Sequence, residues 1–303
     1  MSFQQRAVMN IALKQLKVFV TVAQERTITA AAEKLFLSKP AVSMALSELE
    51  KQLDHKLFDR NNNRLLINEQ GKRLLPLADE LLARSNTIEK LFDQADSIAG
   101  ELKIGSSDTV GNQLTPFLLR DFRAHTQHRH QKLFISNTAQ VCQKLSEFEL
   151  DVGFVEGKVQ HPDLIVQPWL EDQMVVACHP EHPLIKIKDL RLADLEDSEW
   201  VLRESGSGTR EFFLNRLAPR LEHWTPAFEL NTTEAIINSV SAGLGITCIS
   251  QRAALHAVEE KRIVLLPMPL DMRRQYWLIF HKEKYQSPLL ESFIQFSQQW
   301  TFD

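Results

Sequence analysis

The 303-residue sequence contains no apolar run of about 18 residues, so it predicts no membrane-spanning helix. Its first ten residues are polar, with no apolar core and no cleavage pattern, and we expect no signal peptide. Only three cysteines occur, Cys142, Cys178 and Cys248. Their odd number and wide spacing exclude a disulfide framework and match no metal motif. We therefore expect reduced, mostly buried thiols in a cytoplasmic protein.

The composition is that of a globular protein, with 44% hydrophobic and 24% charged residues. Its length suggests two or three domains. Charge is unevenly distributed, because residues 1–73 carry twelve Lys and Arg against seven Asp and Glu, whereas the remainder carries 23 against 32. A basic N-terminal segment on an acidic body is typical of a protein whose one end meets a polyanion. Chance variation in surface charge is the alternative.

Three helices are predicted near the N-terminus. Apolar residues recur at three-and-four spacing over 11–23 and again up to Leu53, which places them on one face of each helix. Thr29 suits the N-cap of a short helix between them, and Ser38 suits the N-cap of the last one, with Pro40 in its first turn. Two helices joined by a tight turn within a three-helix core predict a helix-turn-helix.

Two short strands are expected directly after these helices, at 57–60 and 64–68. The asparagine run at 61–63 tolerates the geometry of a turn between them. A small hairpin in this position predicts the wing of a winged helix-turn-helix.

A long helical segment, 69–97, follows the wing and has no glycine after Gly71. Seven of its residues recur at alternating steps of four and three, the spacing of a heptad seam. We interpret the segment as a linker helix that pairs with a second copy of the chain. An amphipathic helix packed on its own domain is the alternative. The seam consists of Leu74, Ala78, Leu81, Ser85, Ile88, Phe92 and Ala95.

Beyond Gly100, short apolar strands alternate with helices, which predicts an α/β architecture. The remaining residues are enough for two small lobes. Helices are expected at 114–122 and 139–148. The expected strands are 102–105, 133–136, 152–155, 174–177, 200–202, 227–230, 246–249 and 276–280.

Several short segments within these elements carry a family resemblance. In the first half they are 29–43 (TAAAEKLFLSKPAVS), 49–50 (LE) and 57–60 (LFDR), and in the second half 151–155 (DVGFV), 230–231 (LN) and 243–246 (GLGI). With the order of the elements, they resemble the LysR-type transcriptional regulators over nearly the whole chain. Within that family, three segments are most similar to the subgroup that includes regulators of sulfur assimilation and carbon fixation: 106–112 (SSDTVGN), 171–172 (ED) and 202–210 (LRESGSGTR).

The resemblance implies an α/β protein in three parts. These are a winged helix-turn-helix at 11–70, a linker helix for dimerisation at 71–98, and an effector-binding domain at 99–303 that is similar to periplasmic binding proteins. Within that domain, lobe I would comprise about 99–170 and 275–303, and lobe II about 171–274. We expect a transcription factor, not an enzyme, that binds a two-fold site in promoter DNA, forms a homodimer and then a homotetramer, and needs no cofactor.

A recognition helix in the major groove presents the residues of its first turns to the DNA. Lys39 can reach guanine acceptors or a phosphate, and Pro40 and Met44 can touch a thymine methyl group. Arginines in a wing and a hydroxyl at a helix start suit phosphates. Solvated surface is the alternative for each residue. The predicted DNA-binding residues are Thr29, Ser38, Lys39, Pro40, Ser43, Met44, Arg60 and Arg64.

Two hydroxyl-rich segments in the body each follow a predicted strand and open a helix. Such helix starts bind anions, and two of them facing across a cleft can clamp one small anion. Ordinary helix capping is the alternative for either one. We expect an effector such as sulfite, sulfate or a short carboxylate, with positive charge from Arg203 or Arg210. The predicted effector-binding residues are Ser106, Ser107, Thr109, Asn137, Thr138, Glu156, Arg203, Ser205, Gly206, Ser207, Gly208 and Thr209.

Two carboxylates complicate this anion site. Asp108 stands where the subgroup commonly has a hydroxyl residue, and Glu156 ends a strand that points toward the cleft in this fold. Either carboxylate would repel an anion unless it is protonated or paired with an arginine. Glu156 is therefore a candidate gate for the ligand. A surface ion pair with Lys158 is the alternative.

The other clusters of polar residues predict neither a metal site nor a catalytic set. His125, His128 and His130 lie among polar residues in a predicted loop, and we expect no metal there. Ser205 and Ser207 have no evident His–Asp partner, and their segment lacks the third glycine of a dinucleotide fingerprint. A solute-binding protein and an α/β enzyme without a DNA role are the two alternatives to a regulator. The winged helix-turn-helix and the lack of a signal peptide oppose the first, and the lack of a recognisable catalytic set opposes the second.

Overall fold

The computed structural model describes residues 11–62, 64–89 and 100–302. These residues form two compact units. The N-terminal unit contains the described residues up to Gly100, together with Glu147–Glu149 and Glu283–Leu289. The C-terminal unit contains Glu101–Ser146, Leu150–Lys282 and the described chain from Leu290 onward. No helix in the described ranges is both long and apolar enough to span a membrane.

Three helices form the core of the N-terminal unit. Their apolar faces meet and fully bury Phe19, Val22, Val42 and Leu49, so the periodicity of the sequence and the packing agree. The tight turn between the second and third helices confirms the predicted helix-turn-helix. The helices are α1 Leu13–Glu25, α2 Ile28–Leu35 and α3 Lys39–Leu53.

Side-chain caps determine where α2 and α3 begin. Ser38 Oγ accepts a hydrogen bond of 3.3 Å from a backbone N–H in the first turn of α3, which confirms its predicted role beside Pro40. The predicted cap of α2 is wrong. Thr27, whose backbone is extended, accepts the capping hydrogen bond at 3.1 Å, so the helix begins two residues earlier. Thr29 lies inside the first turn with its side chain exposed.

The predicted wing is present as an antiparallel hairpin, β1 Phe58–Asn61 and β2 Arg64–Ile67. Its register places Arg60 opposite Leu65 and Asn61 opposite Arg64. Arg60 and Arg64 therefore lie on the same short hairpin.

The predicted linker helix begins at Glu69 as α4 and is described to Glu89. Ala78 of the seam is buried in the N-terminal unit, whereas Leu81 and Ile88 are 49% and 67% exposed. Exposed leucine and isoleucine along one helix offer a surface that a second chain can cover. The seam residues Phe92 and Ala95, and the predicted helix from 90 to 97, lie outside the described residues. The domain boundaries drawn at 70 and 98 stay a prediction.

The C-terminal unit is built on a seven-stranded sheet in the order β10-β6-β11-β5-β3-β4, with β9 also pairing with β6. Strand β3 runs parallel to β4 and β5, whereas β11 runs antiparallel to β5 and β6. Strands β7 and β8 form a separate parallel pair. The strands are β3 Leu102–Ser107, β4 Gln131–Ser136, β5 Val152–Glu156, β6 Leu164–Cys178, β7 Glu199–Arg203, β8 Thr225–Leu230, β9 Thr247–Ser250, β10 Val264–Leu266 and β11 Arg273–His281.

Helices cover these strands, as expected for an α/β architecture. A π-helical turn, Phe213–Leu217, continues α8, and three short 3-10 helices occur at Pro183–Lys186, Leu192–Leu195 and Ala218–Arg220. The helices are α5 Asp108–Gln113, α6 Thr115–Thr126, α7 Thr138–Ser146, α8 Gly208–Phe212, α9 Thr233–Ser241, α10 Gln251–Glu259 and α11 Pro288–Gln299.

Strand β6 runs through both lobes. Its first part pairs with β11 beside β5 and β3 in lobe I, and its last residues pair with β9 and β10 in lobe II. Each lobe has a core of its own, around Val141 and Ile279 in lobe I and around Trp200 and Phe213 in lobe II. The predicted two-lobed α/β fold is confirmed. The ends of β3, β5 and β7 carry the polar residues of the candidate effector site.

Candidate functional site

The first turns of α3 form an exposed surface. Lys39 and Pro40 are exposed at its start, and Ser43 and Met44 are exposed one turn later, with Met44 62% exposed. The opposite face of the helix is buried through Val42, and this packing fixes which side chains point outward. Residues on such a face can enter a DNA groove because nothing in the described chain covers them.

A groove of about 800 Å³ lies between α3 and the wing. It is lined by Thr29, Ser43, Arg60 and Arg64, together with Ser47 and Lys56. The structure therefore brings four of the predicted DNA-binding residues to one concave surface. The other four lie along the exposed side of α3.

Three basic side chains on this surface, Lys39, Arg60 and Arg64, form no ion pair with any described residue, whereas Lys56 beside them is paired with Glu50 at 2.7 Å. An exposed, unpaired cation costs little in water and is available to a phosphate. The surface as a whole has the charge and shape of a nucleic-acid interface.

The candidate effector site lies where β5 ends between the lobes. Glu156 is 1% exposed, and its carboxylate accepts hydrogen bonds from the hydroxyls of Ser107 in lobe I and Thr209 in lobe II, the latter at 3.4 Å. Thr138 Oγ1 donates to the main-chain oxygen of Glu156 at 2.9 Å. The alternative of a surface pair with Lys158 is therefore wrong, because Glu156 is buried and bonded to hydroxyls of both lobes.

Arg274 on β11 supports the same site. Its Nη1 donates to Thr209 Oγ1 at 3.0 Å, and its Nε donates to Asp172 at 2.7 Å. Burial opposes the charge of the guanidinium, but Tyr276, Asp172 and Glu156 outweigh it, and the pKa of Arg274 lies above its ordinary value. Thr209 thus accepts from an arginine and donates to Glu156, which makes a polarised chain of hydrogen bonds.

Two buried polar atoms around this chain of hydrogen bonds, Arg274 Nη2 and Ser207 Oγ, have no hydrogen-bond partner among the described residues. Tyr276 lies directly opposite Glu156 in the register of β11 and β5. Burial raises the pKa of Tyr276 above its ordinary value, so its hydroxyl stays a neutral donor. Buried donors without partners are costly unless a ligand or water meets them.

Asp108, at the start of α5, joins the lobes a short distance away. Its Oδ2 accepts hydrogen bonds from the backbone N–H and the hydroxyl of Thr233 in lobe II, at 3.0 and 2.6 Å. Arg203 completes the contact with an ion pair of 3.1 Å to the same oxygen. The carboxylate therefore caps α9 of the opposite lobe and holds the two lobes together. The expected repulsion of an anion by Asp108 is reduced because the charge is paired.

A second set of contacts joins the lobes at the edge of the cleft. Asn137 Nδ2 donates to Glu204 at 3.1 Å, and Glu204 also pairs with Arg203 at 2.8 Å. The backbone oxygen of Gly206 accepts from the N–H of Ala139 at 3.1 Å. Asn137 and Gly206 thus act in lobe contact, and the effector role predicted for them stays a prediction.

The structure excludes some predicted residues from the innermost site. Ser106 is buried but bonded to Thr115 at 2.8 Å, and it belongs to β3 rather than to the helix start. Ser205 is exposed, because the chain turns outward before α8 begins. Arg210 pairs with Glu229 at 2.7 Å, and the same nitrogen donates to the backbone oxygen of Arg203 at 2.8 Å. Thr109, in contrast, is buried in the first turn of α5, and its effector role stays a prediction.

Sequence reasoning missed Arg274, Asp172 and Tyr276. The predicted strand began at Tyr276, but the structure extends it back to Arg273. Along β11, residues 274, 276 and 278 are all buried, so the alternation of the strand carries Arg274 to the same face as Tyr276. Continuing the alternation of buried residues from Tyr276 back to position 274 would have identified this arginine.

The described residues contain no cluster of three or more His, Cys, Asp or Glu side chains that could hold a metal ion. Cys178 and Cys248 are buried and Cys142 is partly buried, and all three are free. Burial raises the pKa of Cys142 and Cys178 to about 11 and that of Cys248 to about 12. These thiols therefore stay protonated at neutral pH.

Comparison with known proteins identifies the family. Residues 13–72 match the family model of the bacterial regulatory helix-turn-helix protein, lysR family, and residues 95–301 match that of the LysR substrate binding domain. The chain belongs to the LysR family of transcriptional regulators. It therefore combines a DNA-binding domain with an effector-binding domain.

Relatives span almost the full length of this chain. An uncharacterised HTH-type transcriptional regulator of Escherichia coli K12, YeiE, is 37% identical over 95% of this chain and 97% of its own length. The HTH-type transcriptional regulator CysL of Bacillus subtilis is 29% identical over 91% of both chains. The RuBisCO operon transcriptional regulator of Allochromatium vinosum is 28% identical over 95% and 96%. The predicted similarity to the sulfur and carbon-fixation subgroup is confirmed.

Solved structures share the fold at lower identity. Full-length OxyR from Pseudomonas aeruginosa, in a variant with one cysteine replaced by aspartate, has a TM-score of 0.70 at 22% identity, over 96% of this chain and 95% of its own. CbnR complexed with its target DNA has a TM-score of 0.59 at 22% identity, over 95% and 99%. The CcmR regulatory domain of Synechocystis, in complex with 2-PG, has a TM-score of 0.61 at 24% identity, over 66% and 96%.

Proposed function

We propose that this regulator binds a two-fold site in duplex DNA and that a small oxyanion bound between its lobes controls this binding. Sulfite, sulfate and short carboxylates are the candidate effectors. The residues that would hold the anion are Ser107, Thr209, Ser207 and Arg274. No residue is assigned a catalytic role.

One observation carries the effector proposal. The hydroxyls of Ser107 and Thr209, which come from different lobes, both donate to the oxygens of one carboxylate, that of Glu156. A site that already binds the two oxygens of a carboxylate is chemically suited to a free oxyanion of similar shape. The complex of the CcmR regulatory domain with 2-PG supports a small molecule as the ligand of this domain.

Arg274 supplies the positive charge that the sequence led us to expect from Arg203 or Arg210. Its Nη2 is buried and without a partner among the described residues, close to the Thr209 hydroxyl that its Nη1 contacts. An anion at this position would receive a charge-assisted hydrogen bond, which is stronger than a neutral one. Ser207 Oγ, also buried and unpartnered among the described residues, adds a further donor.

The DNA-binding proposal rests on the exposed face of α3 and the wing. Lys39, Arg60 and Arg64 are free to contact phosphates or bases, and the complex of CbnR with its target DNA supports the same use of the fold. A two-fold site needs two copies of the recognition helix. The exposed Leu81 and Ile88 of α4 support a dimer through the linker helix, and family resemblance supports a tetramer.

Isothermal titration calorimetry with sulfite, sulfate and acetate tests the effector site. We expect one of these anions to bind the wild-type protein and Thr209→Val to weaken it by about 1–3 kcal/mol, because a buried hydrogen bond is lost. Ser107→Ala should weaken it similarly. Ser205→Ala is the matched control, since that hydroxyl is exposed and outside the network. Equal binding by all four proteins would disprove the site.

A further inference from the structure

The hydroxyls that would hold the effector are already hydrogen-bonded to a carboxylate of the chain itself. Glu156 is buried at the end of β5, and its oxygens accept from Ser107 of lobe I and Thr209 of lobe II. We propose that Glu156 is a specificity-determining residue that acts as a tethered occupant of the anion site, so that an anionic effector binds only by displacing it. This inference rests on the proposed function, because it concerns the same site.

The geometry makes the carboxylate a direct competitor. A free oxyanion between the lobes would place two oxygens on the same two hydroxyls. Thr138 Oγ1 holds the main-chain oxygen of Glu156 at 2.9 Å, which fixes the point from which the side chain projects. A group held near its donors by its own backbone has a high effective concentration compared with a dissolved ion. It therefore occupies the donors until a stronger acceptor replaces it.

The charges around the cleft disfavour a second anion beside Glu156. The two buried guanidinium groups, Arg203 and Arg274, already form ion pairs with carboxylates of the chain. Glu156 forms no ion pair with any described residue. A second anion next to it would face a like charge in a buried setting, which is unfavourable. Electrostatics thus favours exchange over simultaneous binding.

The close approach of the lobes has the same consequence. A Cβ atom at Gly208 would collide with the main-chain oxygen of Glu156 and lie 2.8 Å from its Cγ. Gly157, which follows Glu156 and has a φ of +86°, is as tightly placed, since a Cβ there would lie 2.7 Å from the Cα of Gly208. Backbones this close leave no room for an ion of sulfate size beside the carboxylate.

Exchange of one acceptor for another provides selectivity. The apparent affinity for an anion falls with the fraction of molecules in which Glu156 occupies the donors. An anion with several strongly accepting oxygens gains more than it displaces, because it can also reach Arg274 Nη2 and Ser207 Oγ, which have no partner among the described residues. Removal of the Glu156 carboxylate should therefore tighten anion binding although it adds no contact.

Calorimetric titration of the full-length protein with sulfate alone tests this inference. Glu156→Ala removes both the carboxylate and its bulk, and Glu156→Gln removes the charge but keeps the size. Glu234→Gln is the matched control, because it removes one negative charge from an exposed position on α9. Circular dichroism of each variant establishes that it is folded, and Glu156→Gln keeps the test valid if the alanine variant is not.

We expect Glu156→Ala to bind sulfate at least about tenfold more tightly than the wild-type protein, and Glu156→Gln, which keeps the size of the side chain, to bind it more tightly by a smaller factor, with Glu234→Gln unchanged. Tighter binding by these variants, even when the wild-type protein binds no anion, supports the tethered carboxylate and separates it from the choice of natural effector. Unchanged or weaker binding, alongside a wild-type protein that binds sulfate and loses it in Thr209→Val, overturns the inference and leaves the proposed function standing. No sulfate binding by any of the proteins, the Glu156 variants included, overturns the inference, whereas the proposed function falls only if sulfite and acetate also fail to bind the wild-type protein.

Discussion

The DNA-facing surface and the effector cleft both carry basic side chains, but these differ in burial and in ion pairing. Lys39, Arg60 and Arg64 are exposed and form no ion pair with described residues. Arg203 and Arg274 in the cleft are buried and paired with carboxylates at 3.1 and 2.7 Å. The DNA-facing surface leaves these cations available to a partner from outside, whereas both guanidinium groups of the cleft are paired within the chain.

Burial explains the difference and determines how each surface binds. A hydrated charge at the surface loses little by remaining unpaired, whereas a buried charge without a partner is strongly destabilising. DNA can therefore bind by adding contacts to the first surface. An effector in the cleft must instead exchange its contacts for those that Glu156 and its neighbours already make. The affinity of the cleft for an effector thus depends on which hydrogen bonds within the chain must break.

The largest effect expected from this comparison is on stability. Arg274→Met should lower the free energy of unfolding of the C-terminal unit by about 3–5 kcal/mol, because Asp172 is then left buried without a cation. Arg60→Ala, which removes an exposed and unpaired arginine, should change it by less than about 0.5 kcal/mol. Urea denaturation followed by circular dichroism measures both. Equal losses in the two variants would remove the distinction between the surfaces.

The exposed side of α4 resembles the DNA face, because we expect it to bind a separate molecule, here a second copy of the chain. Leu81→Asp should convert the dimer to a monomer at micromolar concentration, since a carboxylate is introduced into the seam between two helices. Loss of the dimer should weaken binding to a two-fold DNA site strongly. Light scattering measures the mass, and Asn86→Asp is the matched control, because it adds a carboxylate at an exposed position of the same helix outside the seam. A wild-type protein that is already monomeric would contradict the prediction.

On the DNA face, Lys39→Ala and Arg60→Ala should weaken binding and leave the fold unchanged, because both side chains are exposed. If Arg60 contacts only a phosphate, its loss should weaken all sequences alike and reduce the salt slope of binding by about one. Electrophoretic shift assays at several salt concentrations measure this slope. Unchanged affinity in both variants would exclude these residues from the interface.

The smallest effect concerns the buried thiols of the C-terminal unit. Burial holds the pKa of Cys142 and Cys178 at about 11 and that of Cys248 at about 12, so the thiolate forms only as the pH rises toward these values. In the native protein we expect slow reaction with a maleimide at pH 7 and an acceleration with increasing pH. In urea all three thiols should react quickly. Fast labelling of the native protein at pH 7 would contradict the burial.

The sequence predicted the order of elements well, because periodicity reports which face of each element is buried. It misplaced the start of α2 by two residues, since Thr27 and Thr29 are equally good caps and only the backbone decides between them. It also missed most of β6. Gln167, Pro168 and Gln173 interrupt the apolar alternation there, because that strand is half exposed along its first part.

The hydroxyl residues of the candidate site were predictable from the sequence, whereas its charged residues were not. Ser107 and Thr209 follow local patterns at strand ends, and both proved to meet at the same carboxylate. Arg274 comes from a strand far away in sequence, and its pairing with Asp172 depends on the register of β11 and β6. Contacts between distant segments of this kind cannot be derived from local patterns.

An anion bound in the cleft should change the affinity of the protein for DNA, and control of DNA binding by an effector depends on this coupling. Fluorescence anisotropy with a labelled promoter duplex tests it, with sulfate or chloride at equal ionic strength because DNA binding is sensitive to salt. We predict that saturating sulfate shifts the Kd of the wild-type protein and has no such effect on Thr209→Val. By linkage, DNA must then change the affinity for sulfate by the same factor. Identical DNA affinities in sulfate and chloride, for a protein that calorimetry shows to bind sulfate, would contradict the account.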